Sequence, residues 1–322
     1  MSQKTQALNP DTVLKNYWRN NVRFADFFNA VLFKGQQIIK PDELMDLDTE
    51  ESSILEHKKY AEAIKASRDN IKIRKKSSKT GIEFVMLGKE SQKYIDYAMP
   101  LRVMGYDYGT YKKQYNDNAA KYTSSHGMDA DEYLSGMKRT DRFSPVVTVV
   151  VYYSETPWDG ATTLHEMLHI PEEFAAYVND YRILLVEARE NNFVFHNMEN
   201  IDFFKLMEII LDRHISKKEA REKAIQYSEE HKTGKSVVMA VAGATDSNID
   251  YHAFEKGDGR MCTLFDEIAE EGRAEGKAEE IIDSGFEFGL SEEDILSRLQ
   301  RKLGVSLQKA REYFNMFGKQ AV

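Results

Sequence analysis

The eight residues from Val146 to Tyr153, VVTVVVYY, constrain the fold more than any other part of the sequence. The run is apolar and rich in β-branched residues, without the polar alternation of a strand that borders water. Such a strand is normally central in its sheet and covered on both faces. Helical patterns over residues 10–33 and 95–122 precede it. We therefore predict an α/β core.

A β-hairpin is predicted upstream of this strand. Residues 69–75 alternate between polar and apolar side chains, residues 77–81 are turn-forming, and residues 82–88 are more continuously apolar. If the turn consists of two residues, Lys79 and Thr80, the residue numbers of every cross-strand pair add to 159. The register follows, because a slip of one residue would move every side chain to the other face.

This register places Asp69 directly opposite Glu90, with Gln92 on the same face and Lys89 on the other. Opposed residues have Cβ atoms about 4.5–5.5 Å apart. Two carboxylates this close repel unless a cation lies between them, and Mg²⁺ prefers such oxygen ligands. The spacing thus favours a metal site, although two ordinary strand-end acids that contact lysines have the same spacing.

The charge of the chain favours a local nucleic-acid contact over a general one. The net charge is −9, but residues 65–79 carry seven Lys or Arg against Asp69 alone. A basic hairpin in an acidic protein predicts a DNA-backbone contact with strong salt dependence. We assign this contact to Lys72, Arg74, Lys75 and Lys76. A solvated strand face is the alternative.

Cellular location is predicted from simple features. Cys262 is the only cysteine, which excludes an internal disulfide and suits a reducing compartment. The first residues lack the apolar run of a signal peptide, and the longest apolar stretch is too short to span a membrane. We expect a soluble, cytoplasmic protein.

The C-terminal part is predicted to be helical. The apolar spacing is helical from about residue 199, and Ser291 and Ser306 resemble helix N-caps. We expect two domains, residues 1–195 and residues 196–322. The second is a candidate surface for homo-oligomer assembly.

Several segments together resemble the recombination-promoting nuclease or putative transposase (YhgA-like) family. They are residues 24–33 (FADFFNAVLF), 68–72 (RDNIK), 88–92 (GKESQ), 97–106 (YAMPLRVMGY), 145–153 (PVVTVVVYY) and 158–160 (WDG). The resemblance covers roughly the first 190 residues. It implies a PD-(D/E)xK nuclease-like αβββαβ core and a DNA endonuclease that acts in recombination or transposition.

Carried onto this sequence, the resemblance assigns a role to each polar residue. Asp69 and Glu90 would hold Mg²⁺ or another divalent cation, and Asp26 in the first helix would support them. Gln92 takes the position of the usual Lys. Arg102 and Tyr106, one helical turn apart, would contact phosphate or brace the carboxylates, unless they simply pack on the sheet.

Gln92 keeps a second interpretation open. A Lys at this position would act as a cation, whereas a neutral Gln only orients water by hydrogen bonds. The alternative is therefore a weak or inactive nuclease fold that serves as an interaction protein.

A third interpretation comes from residues 165–169, HEMLH, which match the H-E-x-x-H pattern of zinc metallopeptidases. On a helix, His165 and His169 would share a face, Glu166 would be the general base, and Glu187 a third ligand. Pro171 follows closely, so we expect a helix of only about two turns.

Overall fold

The computed structural model describes residues 9–47, 71–90, 95–122, 127–190, 192–247 and 249–318. The five strands are β1 Leu44–Asp46, β2 Ile71–Ser77, β3 Glu83–Glu90, β4 Val146–Tyr153 and β5 Leu184–Glu187. The helices of the first part are α1 Pro10–Arg19, α2 Asn21–Phe33, α3 Met99–Ala119, α4 Ala130–Ser135, α5 Met198–Ile210, α6 Lys217–His231 and α7 Lys235–Ala244. The remaining helices are α8 Tyr251–Lys256, α9 Met261–Glu287, α10 Glu292–Leu303 and α11 Leu307–Phe317.

The strands form one mixed sheet in the order β1-β2-β3-β4-β5. The β1–β2 and β2–β3 pairs are antiparallel, and the β3–β4 and β4–β5 pairs are parallel. The predicted α/β class is confirmed. Strand β4 lies between two neighbours, and Val149, Val150 and Val151 are fully buried. The prediction of a strand covered on both faces is therefore confirmed.

Helices cover the two faces of the sheet. On one face, Val103 and Tyr106 of α3 belong to the same apolar cluster as Val85, Leu87 and Val150. On the other face, aromatic rings of α1, α2 and α5 pack together and onto the strands. The ring pairs are Trp18–Phe27, Phe28–Phe84, Trp18–Phe203 and Tyr153–Phe203. Neighbouring residues of a strand therefore face different helices.

The predicted hairpin register is confirmed over the described residues. Ile71 pairs with Gly88 and Lys76 with Glu83, so the residue numbers add to 159. The turn is wider than predicted, because the Ser77 N–H donates to the Ile82 carbonyl at 2.9 Å. Gly81 takes the left-handed conformation with φ +72°, which suits glycine. A wider loop with the same centre leaves the register unchanged.

The prediction of one helix over residues 10–33 is wrong, because the helix breaks at Asn20. Asn20 has extended backbone angles, φ −65° and ψ 119°. Its side chain accepts hydrogen bonds from the Val22 and Arg23 N–H groups at 2.9 and 3.2 Å. Asparagine competes for backbone groups in this way, which makes it a better N-cap than helix-interior residue.

The chain divides into two compact units, Met1–Asp246 and Ser247–Val322. The composition suggested a boundary near residue 195, but α5, α6 and α7 pack within the first unit. In the second unit, α9, α10 and α11 share an apolar core that includes Ile282, Leu299 and Tyr313. The predicted caps Ser291 and Ser306 begin α10 and α11. Among the described residues, no helix is long and apolar enough to cross a membrane.

Candidate functional site

The candidate site lies where the parallel strands end. Glu90 is the last residue of β3 and pairs with Tyr153, while Tyr152 pairs with Glu187 at the end of β5. We call this border of the sheet its C-terminal edge. Asp69 and Gln92 lie outside the described residues, as does the side chain of Glu90. The structure therefore describes the strand ends around the predicted site, but not the side chains of its predicted metal ligands.

The side chains around this edge make defined contacts. The Tyr153 hydroxyl accepts a hydrogen bond from Trp18 Nε1 at 3.2 Å. The Glu187 carboxylate accepts bonds from the Trp158 N–H at 3.1 Å and from Arg189 Nε at 2.9 Å. These contacts fix the ends of β4 and β5, which gives the site a rigid support on two strands.

Asp26 is buried in α2, and both of its carboxylate oxygens accept hydrogen bonds. The His196 N–H donates to Oδ1 at 2.8 Å, and Asn200 Nδ2 donates to Oδ2 at 2.9 Å. Asn200 also accepts from the Tyr17 hydroxyl at 3.1 Å. Asp26 thus holds the beginning of α5 against α1 and α2.

We expect Asp26→Ala to lower the free energy of unfolding by about 2 kcal/mol, because one buried donor and one partly buried donor lose their acceptor. Denaturant unfolding of the variant and the wild type measures the loss. Asp26→Asn keeps one acceptor oxygen and should lose less. Wild-type stability of Asp26→Ala would contradict this structural role.

The basic hairpin keeps less positive charge at its surface than its composition suggests. Arg74 is 8 % exposed and pairs with Glu83 at 2.8 Å. Lys75 is fully buried; its Nζ donates to the Arg19 carbonyl and to Asn21 Oδ1 at 2.8 and 2.7 Å, and it pairs with Asp46. Both cations are therefore bonded to groups of the protein itself and are shielded from solvent.

Two other lysines of the hairpin are less enclosed. Lys76 is half-buried, and its Nζ donates to Ser144 Oγ at 2.8 Å. Lys79 is exposed in the turn. The side chain of Lys72 lies outside the described residues. If the hairpin contacts the DNA backbone, the contact is therefore left to Lys72, Lys76 and Lys79.

Arg102 and Tyr106 lie on α3, on the opposite face from α1, α2 and α5. The Arg102 guanidinium pairs with Asp96 and donates to the Tyr106 hydroxyl at 3.4 Å. Tyr106 is 8 % exposed and belongs to the apolar cluster beneath α3. Its packing on the sheet agrees with the interpretation of a structural helix face, and Arg102 is half-buried beside it.

The H-E-x-x-H segment does not form the helix that a zinc peptidase requires. Residues His165–Met167 make one 3₁₀ turn, and Leu168 is extended. His165 Nε2 lies 2.8 Å from the Val178 carbonyl. Hydrogen bonds from the backbone N–H of Thr162 and then of Thr163 lower the pKa of Glu166, which weakens it as a base.

Within the described ranges, no group of three or more His, Cys, Asp and Glu side chains is placed to hold a metal ion. This result does not include Asp69 or the Glu90 side chain. The two predicted Mg²⁺ ligands therefore stay a prediction.

Sequence reasoning missed a pocket of about 490 Å³ in the first unit. It lies between the end of α5, the α5–α6 connection, the second half of α6 and Arg189, which follows β5 by two residues. Its walls combine basic, acidic and aromatic side chains. The signal in the sequence was a second basic segment, residues 213–223, which has five Lys or Arg against two Glu.

Comparison of the chain with protein-family models, with curated proteins and with solved structures finds no match. The resemblance to the recombination-promoting nuclease family therefore stays a prediction from the segments quoted above. Support for a function comes from the geometry and chemistry of the chain itself.

Proposed function

We propose that the chain is a metal-dependent DNA endonuclease whose metal ligands are Asp69 and Glu90. The observation that carries the proposal is the register of the β2–β3 hairpin. Ile71 pairs with Gly88, and two further residues of regular pairing would set Asp69 against Glu90. Their Cβ atoms would then be about 5 Å apart on one face.

The order of elements supports the same proposal. The chain runs from α2 through the antiparallel strands β1, β2 and β3 to α3, and then to β4, which is parallel to β3. We propose that these elements are an αβββαβ core of the PD-(D/E)xK type. In such an arrangement the acids lie at the C-terminal edge, a common position for ligand sites of parallel strands.

The donor chemistry fits a hard divalent cation. Two opposed carboxylates give oxygen ligands and leave positions for water and a phosphate oxygen, as Mg²⁺ prefers. When bound, the ion lowers the pKa of a water molecule and neutralises charge on the scissile phosphate. Asp69 and Glu90 would hold it, and the Gln92 amide would orient the attacking water. The water oxygen would bond to phosphorus as the bond to the leaving oxygen breaks, and the proton lost by the water would pass through solvent to the leaving oxygen.

Gln92 also favours a second candidate, a nuclease fold that binds partners without cutting DNA. A neutral amide cannot supply the positive charge of the usual Lys. This candidate predicts no cleavage by the purified protein with Mg²⁺ or Mn²⁺. The helical second unit would then be the surface for assembly.

Nicking of a supercoiled plasmid tests the proposal. We expect the wild type to convert the plasmid to the open circle with Mg²⁺ and to stop when EDTA removes the ion. Asp69→Ala, purified in parallel, should be inactive, which excludes a contaminating nuclease. Equal activity of both proteins would contradict the assignment of Asp69 to the site. No activity in either protein would favour the second candidate, a nuclease fold that binds partners without cutting DNA.

A further inference from the structure

The pocket beside the second half of α6, which we call the α6 pocket, lies near the edge of the sheet that carries the candidate site. Tyr153, the partner of Glu90, faces α5, because its ring centroid is 6.2 Å from that of Phe203. The pocket opens beside the same helix, and Arg189 in its wall follows the end of β5. The α6 pocket and Glu90 are thus associated with one edge of one sheet.

The spacing of β3 and β5 at this edge of the sheet suits a nucleic-acid strand. Strand β5 is two positions from β3 in the sheet, which corresponds to about 10 Å. The rise per nucleotide of one DNA strand is about 3.4 Å. A DNA strand that is cut at Glu90 would therefore pass the end of β5, next to Arg189 of the pocket wall, about three nucleotides from the cut.

The wall of the α6 pocket has a small excess of positive charge. Its cations and acids are Arg189, Lys205, Arg213 and Lys223 against Glu208, Asp212 and Glu230. Several cations of the wall are already paired: Arg189 with Glu187 and Glu190 at 2.9 Å, and Lys205 with Glu208 at 3.0 Å. Arg213 is exposed and forms no ion pair with any described residue, which leaves its guanidinium available for phosphate.

An aromatic ring gives the α6 pocket a place for a base. Tyr227 is half-buried and stacks on His231 with 4.0 Å between the ring centroids. Its hydroxyl donates to Asp202 at 2.9 Å. Burial, and then the bond to Asp202, raise the pKa of Tyr227, so the ring stays neutral. A ring held on two sides is a rigid platform for base stacking.

We infer that the α6 pocket binds one nucleotide of a single DNA strand, with Arg213 on its phosphate and Tyr227 beneath its base. The inference rests on the proposed nuclease function, because it identifies the substrate strand of that same site. It also explains how an acidic protein contacts DNA when Arg74 and Lys75 are used inside the fold. The volume of about 490 Å³ is within the usual range of ligand pockets.

Binding without cleavage tests the inference. Fluorescence anisotropy of a short labelled single strand in EDTA, at several salt concentrations, measures affinity and its salt dependence. We expect Arg213→Ala to weaken binding about tenfold and to reduce the slope of log K against log salt by about 0.7, the value for one phosphate of a single strand. Lys218→Ala removes a charge from α6 outside the pocket wall and should change binding less.

Three outcomes would overturn the inference. They are an affinity and salt slope of Arg213→Ala equal to those of the wild type, an equal loss in Lys218→Ala, and displacement of the strand by free dAMP at the same molar concentration. The last would mean a pocket for free nucleotides. Plasmid nicking tests the proposed function separately. If the wild type cuts the plasmid and Arg213→Ala binds the single strand as tightly as the wild type, the nuclease function stands and the nucleotide site in the α6 pocket is rejected.

Discussion

Asp69→Asn and Glu90→Gln should each lower Mg²⁺-dependent nicking by about 10³-fold, the scale of losing one group that stabilises transition-state charge. Both changes preserve the shape of the side chain and remove its negative charge, so the metal loses a strong ligand. The double variant should be no slower than either single variant, because both carboxylates act through the same ion.

Initial nicking rates with saturating plasmid measure these losses, and thermal unfolding shows whether each variant is folded. Glu173→Gln is the matched control, because Glu173 is exposed in the connection between β4 and β5. Its rate should equal that of the wild type. Losses that multiply in the double variant would contradict a shared metal site.

The sheet was predictable because its signals are local. Eight consecutive apolar or β-branched residues identified β4, and period-two alternation around a turn gave the β2–β3 register. A four-residue loop replaced the predicted two-residue turn without changing the pairing, because only the centre of the hairpin sets it. The frame of the candidate site thus follows from sequence, although the Asp69 pairing itself lies outside the described residues.

The fate of individual charges was not predictable from counting them. Arg74 and Lys75 counted equally with Lys79 in the basic window, but only Lys79 is exposed. Whether a hairpin cation is free depends on which helices cover each face, and this packing is set by residues far along the chain. The α6 pocket depends in the same way on the packing of α5, α6 and the end of β5 against one another.

Motif matching failed where backbone shape decides the outcome. H-E-x-x-H needs an α-helix that continues from the first histidine to the second, slightly more than one turn, to bring both to one face. Residues 165–167 make one 3₁₀ turn, and the Thr162 and Thr163 N–H groups occupy Glu166. Similarly, the apolar stripe over residues 10–33 continues past Asn20, although the helical backbone is interrupted at that residue.

Arg74→Met should lower the free energy of unfolding by about 3–5 kcal/mol, the cost of leaving a buried charge without its partner. Arg74 and Glu83 have side chains that are 10 % and 7 % exposed. After the substitution, Glu83 would lose the Arg74 guanidinium and keep the hydrogen bond from Gln114 Nε2 at 3.3 Å. The midpoint of thermal unfolding should fall by about 10 °C.

Two further variants show whether the buried charge is the cause. Adding Glu83→Gln to Arg74→Met removes the stranded charge and should restore much of the lost stability. Lys79→Met removes an exposed cation from the same hairpin and should leave the unfolding midpoint nearly unchanged, because surface charges contribute little to stability. If Arg74→Met instead unfolds like the wild type and binds single-stranded DNA more weakly, Arg74 is a DNA contact, as the charge of the hairpin alone predicts.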